Sequence, residues 1–412
     1  MTTGILSIGS SALEAAYTAL QTTGNNIANV DTPGYSRETT SFTATVETPI
    51  GGMYLGTGVS VSAISRVYSN FLAQQTNLAQ AAASQADATA QLTGQINSLF
   101  SDPSTGLGAA VDNFFTQLQS LSSQPGSAAA RTTALSAAQQ MTAQFNDYYA
   151  QLQSMSQSAT QQIGQQVATV NTTAAQIASL NAQINLAGAG NQSPNALLDQ
   201  RDQDILTLNQ AVGVTTTTQS DGSINVFLAN GQPLVVGTQT YTLATGQDPQ
   251  NPQNVVVGTD VGGAIAALSP ADSGGGAIGA LLQFQNQTVP DVENRIGQMA
   301  VSLSSQFNAI QQAGTDATGA QGSAFFTTPT ISVSPAPTNT DAGTVSLSAT
   351  LTDGTQVQAS NYQLKVEGGN YTLTRLSDGT TTTLSSLPAT VDGMTLNFSG
   401  TPANGDIFNI SP

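Results

Sequence analysis

The chain has 412 residues, a length that suits two to four domains rather than one core. Its net charge is −17, and only 8% of its residues are charged, against about 25% in an ordinary soluble protein. With seven basic side chains it cannot neutralise a phosphate backbone. With neither histidine nor cysteine it lacks the groups of Ser–His–Asp and Cys–His catalysis, thiolate zinc sites and disulfides. Polar character comes from Ser, Thr, Gln and Asn. Such a nearly uncharged surface suits a homopolymer, where symmetry would set like charges against each other; plain compositional bias gives the same numbers. No apolar run reaches the roughly 18 residues that span a bilayer. The first basic residue is Arg37, so a Sec-type signal is not expected.

In chain order, residues 4–29 carry Leu6, Leu13, Leu20 and Ile27 at seven-residue intervals, with Gly9, Ala16 and Thr23 three positions on. This spacing predicts a helix with one apolar face, either a coiled-coil seam or an amphipathic helix on a globular core. Pro33-Gly34 ends it, and 37–62 reads as an irregular or short β segment with turns at Gly51-Gly52 and Gly56. A second heptad row, Ile64, Phe71, Leu78, Leu92 and Leu99 with Val67 beside it, predicts a helix over 64–100, broken by Asp102-Pro103 and Gly106. A short helix with Val111, Phe114, Phe115 and Leu118 follows, and Pro125-Gly126 turns the chain. Residues 128–187 predict one helix roughly 85 Å long, which points to a rod of antiparallel helices.

Gly188, Gly190 and Pro194 interrupt that helix, and 195–211 forms the next. On it, Asp199 or Asp202 is expected either to pair with Arg201 or to lie on a solvated face. Period-two patterning then takes over to about 275, with hairpin signals at Asp221-Gly222 and Asn230-Gly231 and an exit hinge at Ser273–Gly276. Helix returns over 277–313, kinked or split by Pro290. From 325 to 412 alternating segments and the turns Gly368-Gly369, Asp378-Gly379 and Asp392-Gly393 predict a second β domain. No Lys-Ser/Thr follows Gly274-Gly275-Gly276, and no acidic spacing fits a calcium loop, so no catalytic residue, cofactor or metal is expected. The expected class is therefore α+β multidomain: a long antiparallel, coiled-coil-like helical rod with two inserted small β domains.

One run stands apart: Asn25-Asn26-Ile27-Ala28-Asn29-Val30-Asp31-Thr32-Pro33-Gly34-Tyr35-Ser36-Arg37. It resembles the signature of bacterial flagellar rod, hook and hook-associated proteins. Ser193-Pro194-Asn195-Ala196-Leu197-Leu198-Asp199-Gln200-Arg201-Asp202 and Gly276-Ala277-Ile278-Gly279-Ala280-Leu281-Leu282, leading to Phe307-Asn308-Ala309, are similar to stretches of the hook-associated protein 1 family.

The resemblance implies four regions. Residues 1–36 would form an inner-domain helix, 37–212 plus 277–324 a helical rod domain, 213–276 a small β domain, and 325–412 a second β domain. It makes Leu6, Leu13, Ala16, Tyr17, Leu20 and Ile27 the subunit or inner-domain interface. Asn25, Asn26, Asn29, Pro33, Gly34, Tyr35 and Arg37 are the family motif, acting at that interface or as local turn formers. Pro194, Leu198, Asp199, Arg201 and Asp202 are the helix motif.

The implied role is structural, at the junction between hook and filament and needed for filament assembly. Copies of the chain, the hook protein and the second junction protein are the implied partners, with neither nucleic acid nor membrane insertion. The implied location is extracellular, on the flagellum, after type III export without a cleaved signal peptide. A secreted adhesin-like module and another axial protein such as flagellin are the alternatives. Members of the family usually close with a C-terminal heptad helix, whereas this sequence stops at Ile410-Ser411-Pro412. The expectation is that this chain alone neither polymerises nor binds the export chaperone that recognises that segment.

Overall fold

A computed structural model describes residues 2–46, 48–50, 53–101, 106–189, 194–262, 264–268, 273–316, 318–340 and 344–412. The readings at Gly51-Gly52, Asp102-Pro103 and Gly190 lie outside these residues. In chain order the elements are α1 (Thr2–Ala28), β1 (Glu38–Ala44), β2 (Thr48–Ile50), β3 (Met53–Leu55), β4 (Val59–Arg66), α2 (Asn70–Phe100), α3 (Leu107–Ser123), α4 (Ala128–Ala189) and α5 (Asn195–Ala211). Next come β5 (Val214–Thr218), β6 (Ile224–Leu228), β7 (Pro233–Val236), β8 (Gln239–Thr240), β9 (Leu243–Gln247), β10 (Val255–Val261), β11 (Ala264–Leu268), α6 (Gly276–Gln283) and α7 (Val289–Ala313). The chain closes with β12 (Ser332–Pro335), β13 (Ser346–Leu351), β14 (Tyr362–Glu367), β15 (Asn370–Arg375), β16 (Thr381–Leu384), β17 (Ala389–Val391), β18 (Met394–Ser399) and β19 (Ile407–Ser411). Long helices with several small antiparallel sheets make this an α+β multidomain chain. Among the described residues, no helix is long and apolar enough to cross a membrane.

Contacts divide the chain into two compact units. The first holds 1–86, 165–244 and 257–279; the second holds 87–164, 245–256 and 280–412. In the first, α4 turns a row at helical spacing inward: Val170, Ala174, Ile177, Asn181 and Ile184 are all buried. Asn181 sits in that apolar row because it serves the sheet below. Its Nδ2 donates to the carbonyls of Ile224 and Gly237 at 2.8 and 2.7 Å, and its Oδ1 accepts the Ile224 N–H at 3.1 Å. Asp221-Gly222 does close the β5–β6 hairpin: Gly222 takes φ 84°, and the Asp221 carboxylate accepts the Ser223 N–H at 2.9 Å.

Two sequence expectations fail here. Ile64 lies in β4, paired with Thr40 of β1, and Val67 follows that strand, so α2 starts at Asn70 instead of 64. The heptad row ran on into a strand by coincidence, since Ile64 fell where β4 also places an apolar residue. The segment 273–276 is clamped, not a hinge. Gly213 N donates to Ser273 O at 2.9 Å, and at Gly276 (φ 78°) a Cβ would come within 2.6 Å of the Ala211 and Val212 backbone, so only glycine fits.

In the second unit, Phe114 of α3 packs with Ala137, Ala138 and Met141 of α4, and Leu303, Phe307 and Phe326 close the cluster. Asn308 holds that closing loop: its Oδ1 accepts the N–H groups of Phe325 and Phe326 at 2.8 Å, and its Nδ2 donates to the Phe326 carbonyl. The helix expected to break at Pro290 passes through a π turn, Phe284–Thr288, and Pro290 sits in the first turn of α7, where its missing N–H is harmless. Beyond Ser332, sheets of order β12-β19-β14-β15-β16 and β13-β18-β17 enclose Leu364, Leu373, Met394, Leu396, Phe408 and Ile410.

Candidate assembly face and the polar junction behind it

Helix α1 covers one side and leaves the other bare. Ala15 and Thr22 are buried, and the residues around them are tied to the hairpin: Thr40 Oγ1 donates to Thr22 Oγ1 at 3.1 Å, and Val59 N donates to Ser11 Oγ at 3.3 Å. The expected interface row lies elsewhere on the helix. Leu6, Leu13, Tyr17, Leu20 and Ile27 are 73%, 75%, 63%, 72% and 70% exposed, and Ala16 is exposed with them. Covering each such leucine is worth roughly 1.5–3 kcal/mol, so a row of them is an unusual surface to leave wet. No charge falls on α1 apart from Glu14, which removes the ordinary means of keeping such a face solvated.

The family motif forms a polar knot at the C-terminal end of this helix. Asn26 is its centre: Oδ1 accepts from Tyr35 Oη at 2.8 Å and from the Glu38 N–H at 2.8 Å, while Nδ2 donates to the Glu38 carbonyl at 2.9 Å. Asn25 Nδ2 reaches Tyr35 Oη at 3.3 Å, and Asn29 Nδ2 donates back to the Asn25 carbonyl at 3.0 Å, closing the last turn. Pro33-Gly34 reverses the chain, with Gly34 at φ 82° and a Cβ there meeting Gln203 Oε1 at 2.9 Å. Pro33 and Arg37 are exposed. Burial, with the nearby Glu38 and Asp199 carboxylates, raises the Tyr35 hydroxyl above its ordinary pKa, so it stays a donor.

The two sequence motifs meet at this point. Asp199 of α5 accepts the Ser36 N–H through Oδ2 at 3.0 Å and the Arg66 guanidinium through Oδ1 at 2.8 Å, and Asp202 Oδ2 takes the same Nη1 at 2.6 Å. Asn195 Nδ2 donates to Glu38 Oε1 at 2.8 Å and to the Ile64 carbonyl at 2.9 Å. Arg66 also lies over the Tyr68 ring, 4.3 Å from its centroid. Burial raises Asp202 above the ordinary carboxylate range, against the lowering effect of Arg66, and burial likewise raises the Tyr68 hydroxyl.

The expected pairing of Asp199 or Asp202 with Arg201, or a solvated face for all three, is thus corrected. Both carboxylates turn to Arg66. Arg201 is 3% exposed and donates to Asn181 Oδ1 at 3.1 Å and to the Gly222 carbonyl at 2.8 Å, with burial lowering its pKa. Pro194 stands before α5, where its carbonyl accepts the Leu198 N–H at 3.0 Å.

Glu38, Arg66, Asn195 and Asn181 carry as much of this junction as the expected residues. Arg66 had a signal, being one of only seven basic residues, but its partners lie 133 and 136 positions away. The junction fixes the α1 hairpin on α5 and leaves the bare face of α1 pointing away from its own ties.

The half-covered N-terminal helix, with Glu14 as its one charge, and the Asn-Tyr motif that ties it back cover residues 6–35, which match the family described as flagella basal body rod protein. Residues 93–326 match the flagellar hook-associated protein FlgK helical domain, and residues 334–412 match the flagellar hook-associated protein 1 D2-like domain. Flagellar hook-associated protein 1 of Escherichia coli K12 is 35% identical over 408 residues, covering 98% of this chain and 74% of that protein. That of Salmonella typhimurium is 36% identical over 376 residues, covering 90% and 68%. The solved flagellar hook junction protein FlgK of Burkholderia pseudomallei superposes with a TM-score of 0.74 at 37% identity, over 82% of this chain and 62% of that one. The chain belongs to the flagellar hook-associated protein 1 family.

Proposed function

We propose that the protein is a structural, non-enzymatic subunit of the bacterial flagellum, standing at the junction between hook and filament and needed for the filament to assemble. The observation that carries this reading is the bare row Leu6, Leu13, Leu20 and Ile27, held in fixed register by the Asn26–Glu38 and Arg66–Asp199 ties. A face of that kind is stable only when covered, and the family's role supplies the cover: copies of the chain in a layer, with the hook protein on one side and the second junction protein on the other. In this reading residues 1–36 belong to an inner domain, 37–212 plus 277–324 to the helical rod, and 213–276 and 325–412 to outer β domains. The place of action is the flagellum outside the cell, reached by type III export without a cleaved signal peptide.

Restoring the gene to a strain that lacks it tests the reading. The expected result is that a strain secreting filament protein without building filaments regains them, and that the pair Leu13→Ala and Leu20→Ala does not restore them. Antibody labelling along the whole filament instead of at the hook tip would overturn the junction role in favour of a filament subunit.

A further inference from the structure

We propose that the cleft between α4 and α7 in the second unit is a seat for an arginine side chain presented by a partner protein. The cleft has a volume of about 840 Å³ and is walled by α4, α7 and the loop at 251–254. Asp291 and Glu293 line it, and no lysine or arginine does. Tyr149 stands on the opposite wall and is 53% exposed. Gln153 Nε2 bridges the two, donating to Glu293 Oε1 at 2.8 Å and reaching Tyr149 Oη at 3.4 Å. Glu293 Oε2 keeps no partner among the described residues. The side-chain amides of Asn146, Asn254, Asn294 and Asn361 line the same space without a hydrogen bond to another described residue. The cleft therefore offers an aromatic face, two carboxylates and several side-chain amides, with no lysine or arginine among its lining residues; the one nearby cation, Arg295, acts on Asp291.

Each class of occupant meets that set differently. A phosphate or other anion is repelled by two carboxylates. A neutral sugar can use the amides but leaves the Glu293 charge uncompensated. A lysine ammonium is a compact, strongly hydrated point charge that matches one acceptor at a time. A guanidinium is planar, stacks on an aromatic ring, pairs side-on with a carboxylate and has donors left for amide oxygens. The whole chain, at −17, attracts a basic partner and repels an acidic one. Burial raises the Glu293 carboxyl from 4.5 to about 7. Tyr149 is raised by burial and by Glu293, and Asp291 is raised by burial against the pull of Arg295. The titratable side chains near Glu293 are Tyr149 from α4 and Asp291 from α7, with Arg295 of α7 acting on Asp291. The stretches 251–254 and 284–287 and residues 332, 361, 376, 377 and 411 supply none, and in the 412-residue chain Pro412 brings its α-carboxylate to the same lining.

The test uses the tripeptide acetyl-Gly-Arg-Gly-amide and its citrulline counterpart, which has the same shape without the charge. Carbon-detected NMR follows the Glu293 carboxyl through a pH titration of the 412-residue chain, with and without peptide. Saturating arginine peptide is expected to lower the Glu293 midpoint by about one pH unit, corresponding to roughly tenfold tighter binding to the ionised form. Binding is therefore about tenfold tighter near pH 8.5 than near pH 5.5, and about tenfold weaker for the citrulline peptide or for Glu293→Gln. Tyr149→Leu, which leaves both carboxylates in place, is expected to weaken binding severalfold by removing the stacking face. Equal binding of the two peptides, an unmoved Glu293 midpoint, or Glu293→Gln binding as well as the parent would overturn the proposal. A chitin trisaccharide that binds the cleft where the arginine peptide does not would overturn it in favour of a sugar.

Discussion

In the C-terminal β region, Leu364, Leu396, Met394 and Ile410 are wholly buried, while in α1 Leu6, Leu13, Leu20 and Ile27 are each at least 70% exposed. The difference lies in what each sequence pattern can close upon. Strands with period two put every second side chain on one face, and two such sheets seal one core between them. Helix α1 has one short hairpin behind it, which buries Ala15 and Thr22 and half-buries Ser11, Thr18, Ala19 and Asn26. The β region thus completes itself, and the helix requires another surface. If this contrast is real, the same kind of substitution should act on folding in one region and on association in the other.

The largest effect belongs in the β core. Phe408 is 2% exposed and packs edge-on against Phe398 at 5.1 Å between ring centroids. Phe408→Ala should destabilise that unit by about 3–5 kcal/mol, from lost transfer energy and the cavity left behind. Denaturant unfolding followed by near-ultraviolet circular dichroism measures it, and a loss under about 1 kcal/mol would mean that the sheets do not enclose a packed core.

The junction comes next. Arg66→Met removes the one cation shared by Asp199 and Asp202, whose side chains are 13% and 23% exposed. Leaving them unpaired should cost about 3 kcal/mol, because a partly buried carboxylate is left without its counter-charge. The loss should appear locally, as faster amide exchange in β1, β4 and the first turns of α5, with the β region unchanged. Uniform exchange across the chain would show that the two motifs do not act as one tie.

A smaller and pH-dependent effect falls on Glu293. Its folded pKa, about 7, lies above its ordinary 4.5, so the unfolded chain gives up the proton first as pH rises. Stability should fall between about pH 4.5 and 7 and level off above that. Since the group is partly open to water, the drop should be about 1–2 kcal/mol. Glu293→Gln should match the parent near pH 4 and exceed it by that margin near pH 8. A parent whose stability rises over the same window would contradict the burial of this carboxyl.

Helices α4 and α5 were legible because their apolar spacing is local and uninterrupted, and the hairpin at Asp221-Gly222 because its turn chemistry is local too. What could not be read was non-local. Ile64 and Val67 extended the heptad row of α2, yet Ile64 pairs with Thr40 across a hairpin and the Val67 N–H donates to the Arg37 carbonyl at 2.8 Å. Asp199, Arg201 and Asp202 invited pairing with one another, because sequence offers near neighbours first. Helix geometry turns Arg201 into the core towards Asn181, while the two aspartates find an arginine on a distant strand. The motif residues Asn26 and Tyr35 stood out by resemblance, but their shared partner Glu38 and the meeting with α5 are visible only in three dimensions.

The smallest effect on folding should come from the face with the most exposed leucine. Leu13 and Leu20 are 75% and 72% exposed, so truncating them removes few contacts from the chain itself. Alanine is a stronger helix former than leucine, so α1 should persist. Leu13→Ala with Leu20→Ala should therefore shift unfolding by no more than about 0.5 kcal/mol. Covering those side chains on assembly is worth roughly 1.5–3 kcal/mol each, so the same pair should weaken association by at least about tenfold. Incorporation of the complete gene's product at hook tips, measured beside chemical denaturation of the purified protein, separates the two effects. Unchanged incorporation would mean that the bare row is not the covered face, and a loss of several kcal/mol in unfolding would mean that the chain already covers it.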